Sequence, residues 1–113
     1  MSEVPTTTID DLVHQRHRLG ILTITAQVEE VEFLYLRDAL DLTAGNLNRH
    51  LAVLEDAELI GIRKEIAGKR PRTWVRLTPS GKKALAAEMS ALEELVRQHR
   101  VALGGSPAAT ATS

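Results

Sequence analysis

The chain has no cysteine, so disulfides, thiolate metal sites and cysteine nucleophiles are excluded together. Aromatic side chains are scarce, with one Trp, one Tyr and one Phe, so aliphatic residues must fill the core. No apolar run approaches the length of a membrane span. The first residues also lack the basic region followed by an apolar stretch that marks a secretory signal. A soluble cytoplasmic protein with no membrane partner is therefore expected. At 113 residues, one domain with a modest core is the expectation. No nucleophile stands beside an obvious base and no glycine-rich loop is built to cradle phosphate, so an enzyme is not expected. No cofactor is implied.

The net charge of −1 argues at first against a nucleic-acid partner, but the average conceals a strong asymmetry. Between Thr43 and Lys83 nine basic residues face four acidic ones, a local balance of +5 against −6 for the remainder. A polyanion responds to the local field rather than to the total.

The segment Leu42–Glu55 lies at the start of this basic region. Its apolar residues Ala44, Leu47, Leu51 and Leu54 recur at spacings of three, four and three, the stripe of an amphipathic helix. The other side carries Gly45, Asn46, Asn48, Arg49 and Ala52. Arg can fork to guanine and Asn to adenine, while Gly and Ala let a helix approach a groove closely. Taken alone, this face reads better as that of a solvated helix. Thr43 stands before the helix as a cap. Upstream, Glu32 to Leu40 reads as a helix with Phe33, Leu36 and Leu40 on one face, so the pair is helix, tight turn, helix. Asp41 occupies the turn, where left-handed backbone is tolerated better by Asp than by most residues.

Residues 1–8 have no periodicity and are expected to form a disordered arm, before a folded unit over 9–103. Two helices are expected next, one over Ile9–Gln15 and one over His17–Ala26. In the second, the run Ile21-Leu22-Thr23-Ile24-Thr25 is β-branched and would also suit a strand. Gln27 to Val31 reads as a polar connection.

Downstream, Ile62–Ile66 and Thr73–Leu77 flank Ala67-Gly68-Lys69-Arg70-Pro71, where Gly and Pro mark a turn, so a β-hairpin is expected. It carries six basic residues against Glu65 alone. Thr78-Pro79-Ser80-Gly81 is a helix start with Thr78 as cap and Pro79 at the first helical position. That helix is expected to reach Leu103 and stop at Gly104-Gly105, and 104–113 to be a disordered tail. Along it Leu85, Met89, Leu92, Val96, His99 and Leu103 form a heptad seam. With Leu12 and Val13 of the first helix, this seam is the expected dimer interface.

These pieces together resemble the winged helix-turn-helix transcriptional regulators of the MarR and ArsR groups, in their small single-domain branch. The resemblance rests on Arg18-Leu19-Gly20-Ile21-Leu22, on Phe33-Leu34-Tyr35-Leu36-Arg37-Asp38-Ala39-Leu40, on Leu42-Thr43-Ala44-Gly45-Asn46-Leu47-Asn48-Arg49-His50-Leu51 and on Leu77-Thr78-Pro79-Ser80-Gly81-Lys82. It implies a mainly α fold with a small β-hairpin wing and a long C-terminal dimerisation helix, and it favours helix for Ile21–Thr25. It also implies a homodimer on double-stranded DNA, each recognition helix in a major groove of a pseudo-palindromic operator.

On that reading Asn46, Asn48 and Arg49 take base edges, Thr43 a phosphate, and Lys69, Arg70 and Arg72 the flanking backbone. His50, on the flank of the apolar stripe, has two roles open to it, packing or a phosphate contact. Trp74 is expected to pack within the wing. An effector, if one exists, would fit between the dimer helices and the DNA-binding lobe. Two rival readings share the same pieces. One is a winged domain that binds protein instead of DNA. The other is a metal-responsive repressor of the ArsR kind using His14, His17 and His99, disfavoured by the missing cysteines.

Overall fold

The computed structural model describes residues 9–104, and within them the side chains of residues 9–13 and of Ala67 lie outside the description. The expected N-terminal arm and all of the expected tail after Gly104 also fall outside the described residues, as do the side chains of Leu12 and Val13. The element order is α1 (Ile9–Thr25), β1 (Val31–Glu32), α2 (Phe33–Ala39), α3 (Ala44–Asp56), β2 (Ile60–Ala67), β3 (Arg70–Leu77) and α4 (Pro79–Ala102). Three antiparallel strands in the order β1-β3-β2 form the wing.

The core is aliphatic, as the shortage of aromatics requires. Ile21 and Leu22 of α1, Leu36 of α2, Leu47, Leu51 and Leu54 of α3, and Val31, Ile60 and Val75 of the sheet are buried together. Leu40, Leu42, Leu59, Ile62, Leu77 and Leu85 pack around them. Each buried aliphatic side chain stabilises the fold by about 1.5–3 kcal/mol relative to exposure.

The structure corrects three expectations. The two expected N-terminal helices are one continuous helix, α1, and Ile21–Thr25 is its last part. Thr25 there sends its hydroxyl to the Ile21 and Leu22 carbonyl oxygens at 2.9 and 3.0 Å, which lets a buried β-branched polar residue close a helix. Gly20 does not break α1; it admits Leu40, whose Cδ2 would stand 2.8 Å from a Cβ at that position.

Second, Val31 is not part of the connection. With Glu32 it forms β1, paired as Val31↔Val75 and Glu32↔Trp74, so the hairpin becomes a three-stranded sheet. Third, the hairpin is longer than expected, closing at Ala67↔Arg70 around Gly68-Lys69, with Gly68 at φ +65. Gly at a positive φ suits so short a loop. Pro71 therefore lies inside β3, beyond the part of that strand that β1 reaches.

Local signals elsewhere are met closely. Asp41 takes the left-handed conformation at φ 55 in the turn before α3. The Thr78 hydroxyl accepts from the Gly81 N–H at 2.9 Å, and Pro79 opens α4. The helix ends with Leu103 as its C-cap, followed by Gly104 at φ +110.

Candidate nucleic-acid interface

Helix α3 is set by its buried stripe. Leu47, His50, Leu51 and Leu54 all turn inward, and the spacing of three, one and three leaves the opposite face free. Gly45, Asn46, Asn48, Arg49 and Ala52 are exposed there, and a Cβ on Gly45 would meet nothing within 4 Å. Ala44, counted above with the stripe, is exposed at the helix start.

Thr43 caps this helix: its Oγ1 accepts from the Asn46 N–H at 3.1 Å. The hydroxyl proton has no acceptor among the described residues and can donate to an anion beside the first turn, where unpaired N–H groups and the helix dipole also favour negative charge. Thr43→Ala is expected to destabilise the protein by about 1 kcal/mol through loss of the cap. Urea unfolding of the two proteins checks this, and an unchanged midpoint would mean that the cap adds nothing.

The turn of the wing displays Lys69 and Arg70, both exposed, with no carboxylate paired to either among the described residues. Strand alternation then divides the remaining basic residues between two faces. Facing α3 are Ile60, Ile62 and Lys64 of β2 opposite Leu77, Val75 and Thr73 of β3. Lys64 and Thr73 line an open groove of about 570 Å³ together with Asn48, Ala52 and Glu55 of α3 and with Phe33. Sequence reasoning counted Lys64 in the basic hairpin without singling it out. Its place in the alternation, two residues from the half-buried Ile62 on the same face, was the available signal.

The outer face carries Arg63, Glu65, Trp74, Arg72 and Arg76, and its positive charge is largely matched. Arg63 donates to Glu30 at 2.7 and 3.0 Å and to Glu65 at 2.6 Å. The hydrogen bonds from Arg63 hold the Glu30 carboxyl below its ordinary pKa, and the same contacts raise Arg63. The Arg63 guanidinium also sits 5.7 Å from the centre of the Trp74 ring, which is half-buried on the wing's platform as expected. Arg72, expected on a phosphate, lies 3.9 Å from Glu32. Glu30 and Glu32 come from outside the basic segment, so the +5 read along the sequence is partly neutralised in space.

The histidines fall in two separate places. His50 is 2% exposed and packs against α1, its ring 5.1 Å from that of His14 and 5.6 Å from that of His17. Of the two roles open to it, packing is the one seen in the fold. The imidazoles of His14 and His17 thus face α3, while His99 is exposed on the distal half of α4. Among the described residues, no group of three or more His, Asp or Glu side chains is placed to hold a metal ion.

The seam on α4 changes character along its length. Leu85 packs on the core, Met89 and Leu92 are half-buried, and beyond them Val96 and Leu103 are 46% and 73% exposed, with His99 between. Leu92 also joins Leu19 and Leu22 of α1 in an open groove of about 500 Å³, rimmed by Arg16, Arg18 and Glu88. No described helix is long and apolar enough to cross a membrane.

A capped helix with a free polar face beside a three-stranded wing is the layout of a winged helix, and residues 17–96 match the family model described as winged helix DNA-binding domain. The chain belongs to that family. It is 36% identical over 67 residues to an uncharacterised protein of Methanocaldococcus jannaschii, a match spanning 59% of this chain and 73% of the other. Among solved structures it resembles a transcriptional regulator homologue from Pyrococcus horikoshii at 30% identity and a TM-score of 0.67, covering 85% of this chain and 95% of that one. The S. aureus MepR–DNA complex shares the fold at 20% identity and a TM-score of 0.62, over 83% and 81% of the two chains. PadR and MarR family regulators have the same fold. The chain is accordingly a DNA-binding domain of the transcriptional-regulator kind.

Proposed function

We propose that this protein is a sequence-specific transcriptional regulator that binds a pseudo-palindromic operator in double-stranded DNA as a homodimer. The observation that carries the reading is α3 itself: Leu47, Leu51 and Leu54 are buried while Asn46, Asn48 and Arg49 stand free on the far side, beside a wing whose turn presents Lys69 and Arg70. Asn46, Asn48 and Arg49 read base edges, which suits their forked donors and acceptors. Thr43, Lys64, Lys69 and Arg70 hold phosphates and set the register. The exposed apolar residues Leu95, Val96, Val101 and Leu103 on the distal half of α4 supply the dimer contact, since burying them in a second copy removes them from water.

Binding to mixed-sequence DNA across a salt series tests the reading. Several phosphate contacts predict an affinity that falls steeply with salt, by a slope of about 0.9 per contact on logarithmic axes. Lys69→Ala should weaken all sequences alike and reduce that slope by about 1. A slope near zero for the parent protein would instead favour the reading as a protein-binding winged domain.

A further inference from the structure

A cluster of three imidazoles and one guanidinium lies behind the recognition helix, and the function proposed above makes no use of it. His50 is the polar member of the buried stripe of α3, between Leu47 and Leu51. His14 meets it edge to face at 60° and His17 at 58°, both from α1. Arg18, also on α1, directs its Nε–H to His50 Nδ1 at 3.4 Å. An Nδ1 that accepts cannot carry a proton, so the hydrogen-bond pattern assigns His50 as the neutral imidazole with its hydrogen on Nε2.

We propose that His50, enclosed by His14, His17 and Arg18, forms a proton-sensitive joint between α1 and the recognition helix, and that protonating it loosens α3 and weakens operator binding. The DNA half of this inference rests on the function proposed above; the joint itself does not.

A proton added to His50 must go to Nδ1, where the Arg18 guanidinium already points. The hydrogen bond is then lost and two like charges are left in contact, one of them on a side chain only 2% exposed. The groups facing His50 among the described residues are His14, His17 and Arg18 from α1, with Arg49 adjacent on α3, and every charged form among them is positive. The Nδ1 of His14 is likewise buried, without a hydrogen-bond partner among the described residues.

Burial first, and then the neighbouring Arg18, His14, His17 and Arg49, hold the His50 imidazole below its ordinary pKa. The unfolded chain therefore binds more protons than the folded one below pH about 6.5 and down to the folded value. Stability contributed by neutral His50 is complete above that window and is lost as pH falls through it. The side chain next to His50 in sequence is Arg49, so a shift of α3 against α1 moves the base-reading face directly. Positioning errors near 1 Å are enough to spoil recognition.

The DNA readout has a distinctive sign. Acid ordinarily strengthens binding to a polyanion by adding positive charge. Here affinity for a duplex selected at pH 7.5 should instead fall about three- to tenfold at pH 5.5 and constant salt, because protonation of a single histidine drives the loss.

The experiment uses the full chain as wild type, His50→Asn and Arg18→Met. Asn keeps an acceptor near the Nδ1 position and does not titrate. The thermal midpoint of the wild type should drop on going from pH 7.5 to 5.5 by at least about 4 °C more than that of His50→Asn. The same substitution should abolish the acid loss of DNA affinity. Should His50→Asn fail to fold, Arg18→Met decides: removing the positive neighbour should raise the His50 titration midpoint seen by NMR and shrink the acid loss of stability. Parallel pH courses for wild type and His50→Asn, or a His50 midpoint unmoved by Arg18→Met, would overturn the joint. If the wild type binds DNA at neither pH, the proposed function falls, while the thermal and NMR measurements still decide the joint.

Discussion

Gly81→Ala should cost more than about 3 kcal/mol of stability and lower the thermal midpoint by more than about 10 °C. Gly81 is the third residue of α4 and is buried against the turn between α3 and β2. A Cβ there would stand 2.1 Å from the Leu59 carbonyl oxygen and 2.6 Å from Leu77 Cδ1. The leucine side chain could rotate, but the carbonyl is held by backbone: Leu59 O accepts from the Thr78 N–H at 3.1 Å. Thr78 in turn donates its hydroxyl to Glu58 O at 2.7 Å, so one polar joint ties the end of α3 to the start of α4. Opening it to admit a methyl group at the buried Gly81 breaks these bonds. The gain in helix propensity from Gly to Ala, about 1 kcal/mol at most, is too small to compensate. Gly45→Ala is the control, because open space surrounds that position and stability should be unchanged or slightly improved. Thermal unfolding of both variants measures the contrast, and equal midpoints would show that α4 is not locked against this turn.

Much of the fold was readable where a single local signal sufficed. Thr43 and Thr78 cap their helices because a hydroxyl before a helical run satisfies the first free N–H groups. Asp41 accepts positive φ. The core face of α3 follows from the placement of Leu47, Leu51 and Leu54. His50 belongs to the same stripe by spacing, but a histidine carries no apolar signal to settle its direction.

What remained hidden depends on partners distant in sequence. A two-residue strand such as Val31–Glu32 has no periodicity of its own and exists only because β3 offers it an edge. A break in α1 is expected from the sequence between Gln15 and His17, yet His17 and Arg18 face α3 and the helix continues through them. The charge of the wing could be counted along the chain, but its cancellation by Glu30 and Glu32 required the folded sheet.

That division of the wing into two faces makes adjacent residues behave differently toward DNA. Lys64 lines the groove beside Asn48 of the recognition helix, so on the proposed function Lys64→Ala should weaken binding to every sequence and reduce the salt slope by about 1. Arg63 is its neighbour on β2 but lies on the outer face, held by two carboxylates. Removing it should leave the slope unchanged, because the charge it contributes is already matched by Glu30 and Glu65. Arg49→Ala should act in a third way, costing about 1–3 kcal/mol against the preferred site and relaxing the choice of base at one position of each half-site. Competition titrations with single-base operator variants, repeated across a salt series, separate the three. Equal losses from Lys64→Ala and Arg63→Ala would mean that DNA meets both faces of the wing. A sequence-blind loss from Arg49→Ala would place base reading elsewhere than on α3.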